Sequence, residues 1–175
     1  MSSKLPSREQ ALRLLKETHC SPKVIAHCKA VSKIALETAQ TCRRKGWDVD
    51  VDLVEIGGLL HDIGRSKTHS VNHVVAGAEI ARKQGLPEPV IAIIERHIGG
   101  GITDLEAKDL GWPEGSYMPE TLEQKIVSYA DKLVETSKRK PVEVTINKLR
   151  REKLFEAAKR VRKINDEITK LVDGA

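Results

Sequence analysis

Aromatic side chains are scarce: one Phe, two Trp and two Tyr in 175 residues. A platform for single-stranded nucleic acid stacks successive bases on several aromatics, so RNA is a permitted but disfavoured partner. The three cysteines, Cys20, Cys28 and Cys42, form no C-x-x-C pair and are odd in number. A disulfide framework and a zinc knuckle are therefore excluded, and small buried thiols are expected. No apolar run approaches the ~18 residues of a membrane span. The opening stretch Met1 to Pro6 has no apolar signal segment, which makes the cytoplasm the expected location. Also missing are the phosphate-cradling G-x-x-x-x-G-K-[ST] loop, the G-x-S-x-G nucleophile elbow and the G-x-G-x-x-G dinucleotide fingerprint. Any phosphate must then be held by other means.

Hydrophobic residues at 39% and charged residues at 31% describe a globular chain, and its length suits one domain, residues 1–175. The formal charge of +5 permits phosphorylated partners. Helical periodicity dominates and no alternating run is long enough for a half-buried strand, which predicts an all-α fold. Ser7 with Gln10 reads as a capping box for a helix to about Thr18. Pro22 opens a second helix that runs to about Lys45, before Gly46. A third, from about Asp52, is expected to stop at Gly64 in a left-handed C-terminal position. Its interior Gly57-Gly58 pair costs ~1 kcal/mol per glycine relative to alanine, which close backbone packing would offset. Further helices are expected over about Ser70–Gln84, Pro87–Ile98, Glu120–Ser137 and Lys153–Val172, with a short one starting at Pro141. Gly99-Gly100-Gly101 reads as a mobile edge, and the Gly- and Pro-broken stretch from Ile102 to Pro119 as an irregular lid.

Several polar residues fall on faces that periodicity marks as apolar. His27 aligns with Val31, Ile34 and Thr38, His73 with Gly77 and Ile80, His97 with Val90, Ile93 and Ile94, and Asp131 with Val127 and Val134. His61 and Asp62 close the third helix. Core packing accounts for any one histidine alone. The inward aspartates are different, because burying an unpaired carboxylate costs several kcal/mol and no Arg or Lys shares their stripes. A divalent cation held by imidazole and carboxylate satisfies the set, and this mixture of nitrogen and oxygen donors suits Mn, Fe, Co, Ni or Zn.

In order, His27, His61-Asp62-Ile63-Gly64, His97 and Tyr129-Ala130-Asp131-Lys132 resemble the HD superfamily of metal-dependent phosphohydrolases. The resemblance spans residues 22 to 136 and implies a compact multi-helix bundle, with residues 137–175 as a helical extension. It implies that His27, His61, Asp62 and Asp131 bind one metal. His73 and His97 resemble the two extra histidines of the binuclear branch, which includes diadenosine tetraphosphate hydrolases and cyclic-dinucleotide phosphodiesterases, with Asp62 as the bridge. One or two metals per chain would activate water at Asp62 for attack on the phosphomonoester or phosphodiester of a nucleotide-type substrate. Arg65 is the best phosphate clamp, backed by Lys67 and Lys132. His69 is placed to protonate a leaving oxygen or to orient the next helix.

Two other readings compete. The basic stretches Ser137–Lys140, Arg150-Arg151 and Lys159–Lys163 would suit a nucleic-acid-binding or regulatory module with a structural metal, although interspersed acids favour a solvated, ion-paired helix. Val161, Ile164, Ile168 and Leu171 form a stripe that serves equally as a homodimer seam or as core.

Overall fold

The computed structural model describes residues 4–174; Met1, Ser2 and Ser3, which entered the localisation argument, lie outside them. The chain forms α1 (Arg8–Glu17), α2 (Pro22–Arg44), α3 (Val51–Leu60), α4 (His73–Lys83), α5 (Glu88–Glu95), α6 (Asp104–Asp109), α7 (Leu122–Asp131), α8 (Val142–Arg151) and α9 (Phe155–Asp173). The small hairpin β1 (Val134–Glu135) and β2 (Lys138–Arg139) separates α7 from α8. The fold is all-α, as the periodicity predicts.

Local chemistry sets most helix starts. Ser7 and Gln10 close the expected capping box, Ser21 caps α2 ahead of Pro22, and Thr121 with Gln124 caps α7. α2 is the central strut. Its Val31, Ile34 and Ala35 pack with Ile126, Val127 and Ala130 of α7 and with Ile164 and Ile168 of α9. The start of α2, through Val24 and Cys28, joins a second cluster with Leu15, Leu59, Leu60 and Ile91. The stripe on α9 is therefore core within the chain: Val161, Ile164 and Ile168 are buried.

Gly57 and Gly58 sit in close packing as expected, since a Cβ on Gly57 would lie 2.5 Å from Ile93 and one on Gly58 2.9 Å from the Ser32 backbone. Four other expectations are corrected. α3 ends at Leu60, and Gly64 lies in a 3-10 turn (Ile63–Ser66) without left-handed φ. It is small because α4 leaves no room: a Cβ there would fall 1.8 Å from the His73 carbonyl oxygen and 2.6 Å from the Gly77 nitrogen. The Gly99–Gly101 run is a packed joint rather than a mobile edge, because all three residues are buried and a Cβ on Gly100 would lie 2.8 Å from the Arg160 backbone. α7 stops at Asp131, six residues early, because the hairpin pairs Val134 with Arg139 and Glu135 with Lys138. α5 likewise ends at Glu95, ahead of a 3-10 turn at Ile98–Gly100. The 102–119 stretch holds α6 and packs Trp112 and Tyr117 against Val74, with the Trp112 indole donating to Asn72 Oδ1 at 2.8 Å.

Candidate metal centre

Four helices and the turn after α3 bring the predicted histidines and aspartates together. His27 comes from the second turn of α2, His61 and Asp62 follow α3, His73 opens α4, His97 follows α5 and Asp131 ends α7. Each imidazole is locked in the same way. His27 Nδ1 donates to Thr136 O at 2.7 Å, His61 Nδ1 to Gly58 O at 2.7 Å, His73 Nδ1 to Ser70 O at 2.7 Å and His97 Nδ1 to Ile94 O at 2.8 Å. A carbonyl can only accept, so every Nδ1 carries the hydrogen and every neutral ring presents an Nε2 lone pair.

Those Nε2 atoms surround the carboxylates. Asp62 Oδ1 lies 3.1 Å from His73 Nε2 and 3.3 Å from His97 Nε2, while Asp62 Oδ2 lies 3.6 Å from His27 Nε2 and 3.7 Å from His61 Nε2. Asp131 Oδ1 is 3.0 Å from His27 Nε2 and 3.4 Å from His61 Nε2. The Nε2 atoms of His73 and His97 are 3.2 Å apart. Asp62 thus turns one oxygen to each histidine pair, and His27, His61 and Asp131, or His61, Asp62 and His97, could hold a metal ion. Among the described residues His61 Nε2 and Asp62 Oδ1 are buried with no hydrogen-bond partner. Such orphaned atoms are costly unless a cation meets them.

The electrostatics agree. Burial works to raise the Asp62 carboxyl, but His61, His73 and His97 overcome it and hold Asp62 well below the usual carboxylate range. Asp131 is likewise lowered, against its burial, by Lys132, His27 and His61. Burial lowers His97 to about 4, so this ring stays a neutral donor. Burial also acts against the charged form of His61, yet Asp62 and Asp131 leave it raised. The carboxylates stay ionised in a site whose demand is for positive charge.

Two cations invisible to the stripe argument already approach the acids. Arg65 Nε donates to Asp62 Oδ2 at 2.8 Å, and its Nη1 to His69 O at 3.1 Å. Lys132 Nζ reaches Asp131 Oδ2 at 2.5 Å and His97 O at 2.9 Å, so it faces inward rather than lining the substrate side. No Arg or Lys shares the stripes of these aspartates, yet Arg65 and Lys132 reach them from outside those stripes. Both contacts come from chain neighbours at turns, where helical spacing no longer applies.

A cleft of about 370 Å³ opens onto His27 and Asp62 and is also lined by Arg65, His69, Lys23 and Lys148. Lys67 is exposed and outside that lining. Sequence reasoning missed Lys23, Lys148 and Thr136. Thr136 adopts φ 55°, a region that β-branched residues rarely enter, at the hairpin turn whose carbonyl holds His27. No local pattern announces it. Larger cavities of about 730 Å³ beside Trp112 and 650 Å³ beside Cys20 hold no comparable ligand group among the described residues.

Residues 24–136 match the HD domain model. An uncharacterised protein of Methanocaldococcus jannaschii is 49% identical over 166 residues, covering 94% of this chain and 98% of that protein. A tRNA (cytidine(56)-2′-O)-methyltransferase of Picrophilus torridus is 38% identical over 169 residues, and the chain spans 48% of its length. Among solved structures, the HD domain of the L. monocytogenes phosphodiesterase PgpH in complex with cyclic-di-AMP shares this fold. The TM-score is 0.58 at 19% identity, covering 92% of this chain and 94% of that one. No described helix is long and apolar enough to cross a membrane. The chain belongs to the HD-domain family of metal-dependent phosphohydrolases.

Proposed function

We propose that this protein hydrolyses a phosphomonoester or phosphodiester bond in a nucleotide-type substrate, using water activated at a divalent transition-metal centre. The observation that carries this reading is the division of Asp62 between two histidine pairs whose Nε2 atoms all converge. The orphaned His61 Nε2 and Asp62 Oδ1 fit such ions. His27, His61, Asp131 and Asp62 Oδ2 would hold one metal, and His73, His97 and Asp62 Oδ1 a second, drawn from Mn, Fe, Co, Ni or Zn. Such ions lower the pKa of bound water toward neutrality and offset charge on the phosphoryl oxygens.

The chain's own residues orient and bind. The Nδ1–carbonyl bonds fix each imidazole before substrate arrives, so little reorganisation is needed. Arg65 spends Nε and Nη1 within the protein, and its Nη2 makes no hydrogen bond among the described residues, leaving it for a phosphate oxygen. His69 is exposed in the cleft lining, within the region where a leaving oxygen would need a proton. The lack of a nucleophile elbow is consistent with direct attack by water.

PgpH was solved with cyclic-di-AMP, a nucleotide with two phosphodiesters, which supports a nucleotide substrate here without fixing its identity. The test is a hydrolysis panel with metal-reconstituted protein: cyclic dinucleotides, 2′,3′-cyclic nucleotides, 5′-mononucleotides, dinucleoside polyphosphates and short RNA ends, with Mn²⁺, Ni²⁺ or Co²⁺. Metal-dependent release of product from at least one class is expected. A metal-loaded protein inert on all of them favours the structural-metal alternative.

A further inference from the structure

The cations expected to grip substrate are largely occupied: Lys132 is bound to Asp131 and the His97 carbonyl, Arg65 is shared with Asp62, and Lys67 does not line the cleft. Two other lysines do line it, Lys23 on α2 and Lys148 on α8. Among the described residues neither forms an ion pair. Glu135 lines the same cleft and also lies in no ion pair, so it has not neutralised them. Both lysines fall outside the family-matched residues 24–136, Lys23 immediately before them and Lys148 beyond their end.

The geometry points to Lys23 and Lys148 as specificity-determining residues that hold a second, uncleaved phosphate of the substrate. This rests on the proposed phosphohydrolase reading and adds to it. The His–Asp cluster would supply positive charge to the scissile phosphate only once its metals are bound, and it meets the cleft through His27 and Asp62. Lys23 and Lys148 are exposed residues that separate helices bring to the lining of one cleft, where an anion seated between them would be attracted by both charges. Their flexible stems suit a tetrahedral oxyanion approached from two sides. The cleft volume lies within the range of small-ligand sites. The second phosphate could belong to a dinucleotide or to a mononucleotide phosphorylated twice, and one experiment separates these sources.

Metal-loaded protein is titrated at 4 °C, by isothermal calorimetry, with AMP, adenosine 3′,5′-bisphosphate and the linear dinucleotide pApA. The bisphosphate, the dinucleotide or both bind about tenfold tighter than AMP, and the tighter of the two identifies the source. Lys148→Ala and Lys23→Ala each reduce that advantage while AMP affinity and metal content stay at parental values, and Lys148→Arg restores it. Equal affinity for all three ligands in the parent, with AMP binding still dependent on metal, overturns the second-phosphate site and leaves the phosphohydrolase reading intact. So does a Lys148→Ala, Lys23→Ala double variant that keeps the full preference. A metal-loaded parent that binds none of the three overturns the second-phosphate site, and inertness on the whole hydrolysis panel as well overturns the phosphohydrolase reading.

Discussion

Replacing Gly64 with alanine tests how the turn after Asp62 is coupled to the metal centre. The added Cβ would sit 1.8 Å from the carbonyl oxygen of His73, so reaching ordinary contact at 3.4 Å requires that backbone atom to retreat by about 1.6 Å. Gly64 does not have positive φ, so the penalty is steric and carries no left-handed strain. The obstructing atoms are backbone at the first turn of α4, which cannot swing aside as a side chain would. Overpacking of this kind costs about 1–3 kcal/mol, and contact with backbone places Gly64→Ala near the upper end. For a chain of this size that corresponds to a fall in Tm of roughly 10 °C. The same displacement moves His73, whose Nε2 is 3.1 Å from Asp62 Oδ1, so metal content should fall with stability. Scanning calorimetry and elemental analysis on parent and variant read both effects. A variant with parental Tm refutes the clash, and one that loses stability but keeps all its metal refutes the coupling to His73.

Thr136→Pro forces φ to about −65° and turns the carbonyl away from His27, so metal affinity should drop by roughly 10–100-fold while the far-ultraviolet helical signal is kept; unchanged affinity would mean that this carbonyl does not orient the ring. Chelator should lower the Tm of the parent and added Mn²⁺ restore it, because ions bound only by the folded chain stabilise it; a Tm indifferent to chelator contradicts a bound metal. For metal-free protein, His97 has an ordinary value of 6.5 and is lowered to about 4 in the fold. The unfolded chain therefore binds the extra proton between those values, and this ring withdraws up to about 3 kcal/mol of stability as pH falls through that window. His61, shifted upward, acts in the opposite direction. His97→Gln should flatten the fall in stability from pH 6.5 to 4, and an unaltered slope would show that His97 is not held neutral.

Much of the fold was legible because its signals are local. Ser7-Gln10 and Pro22 act through hydrogen bonds and φ angles within a few residues, and the inward faces of His27 and His73 follow from helical spacing. What escaped depends on distant partners. The early end of α7 is set by a hairpin too short to leave an alternating pattern, and the smallness of Gly64 and Gly100 by helices that pack over them. The placement of Arg65 and Lys132 on the aspartates was missed because a stripe drawn on one straight helix cannot represent side chains folding back at a turn. Lys23 and Lys148 lie 125 positions apart and share a cleft only once α2 and α8 are assembled.

The central claim is that Asp62 joins two metal sites that perform phosphoester hydrolysis, and Asp62→Asn tests it most directly. The substitution keeps the size of the side chain but removes the charge that faces both histidine pairs. Metal content and metal-dependent hydrolysis of the best substrate in the panel are measured on parent and variant prepared identically. The prediction is one to two transition-metal ions per parent chain, fewer in the variant, and turnover lower by orders of magnitude. An Asp62→Asn protein with parental metal content and parental turnover would contradict it.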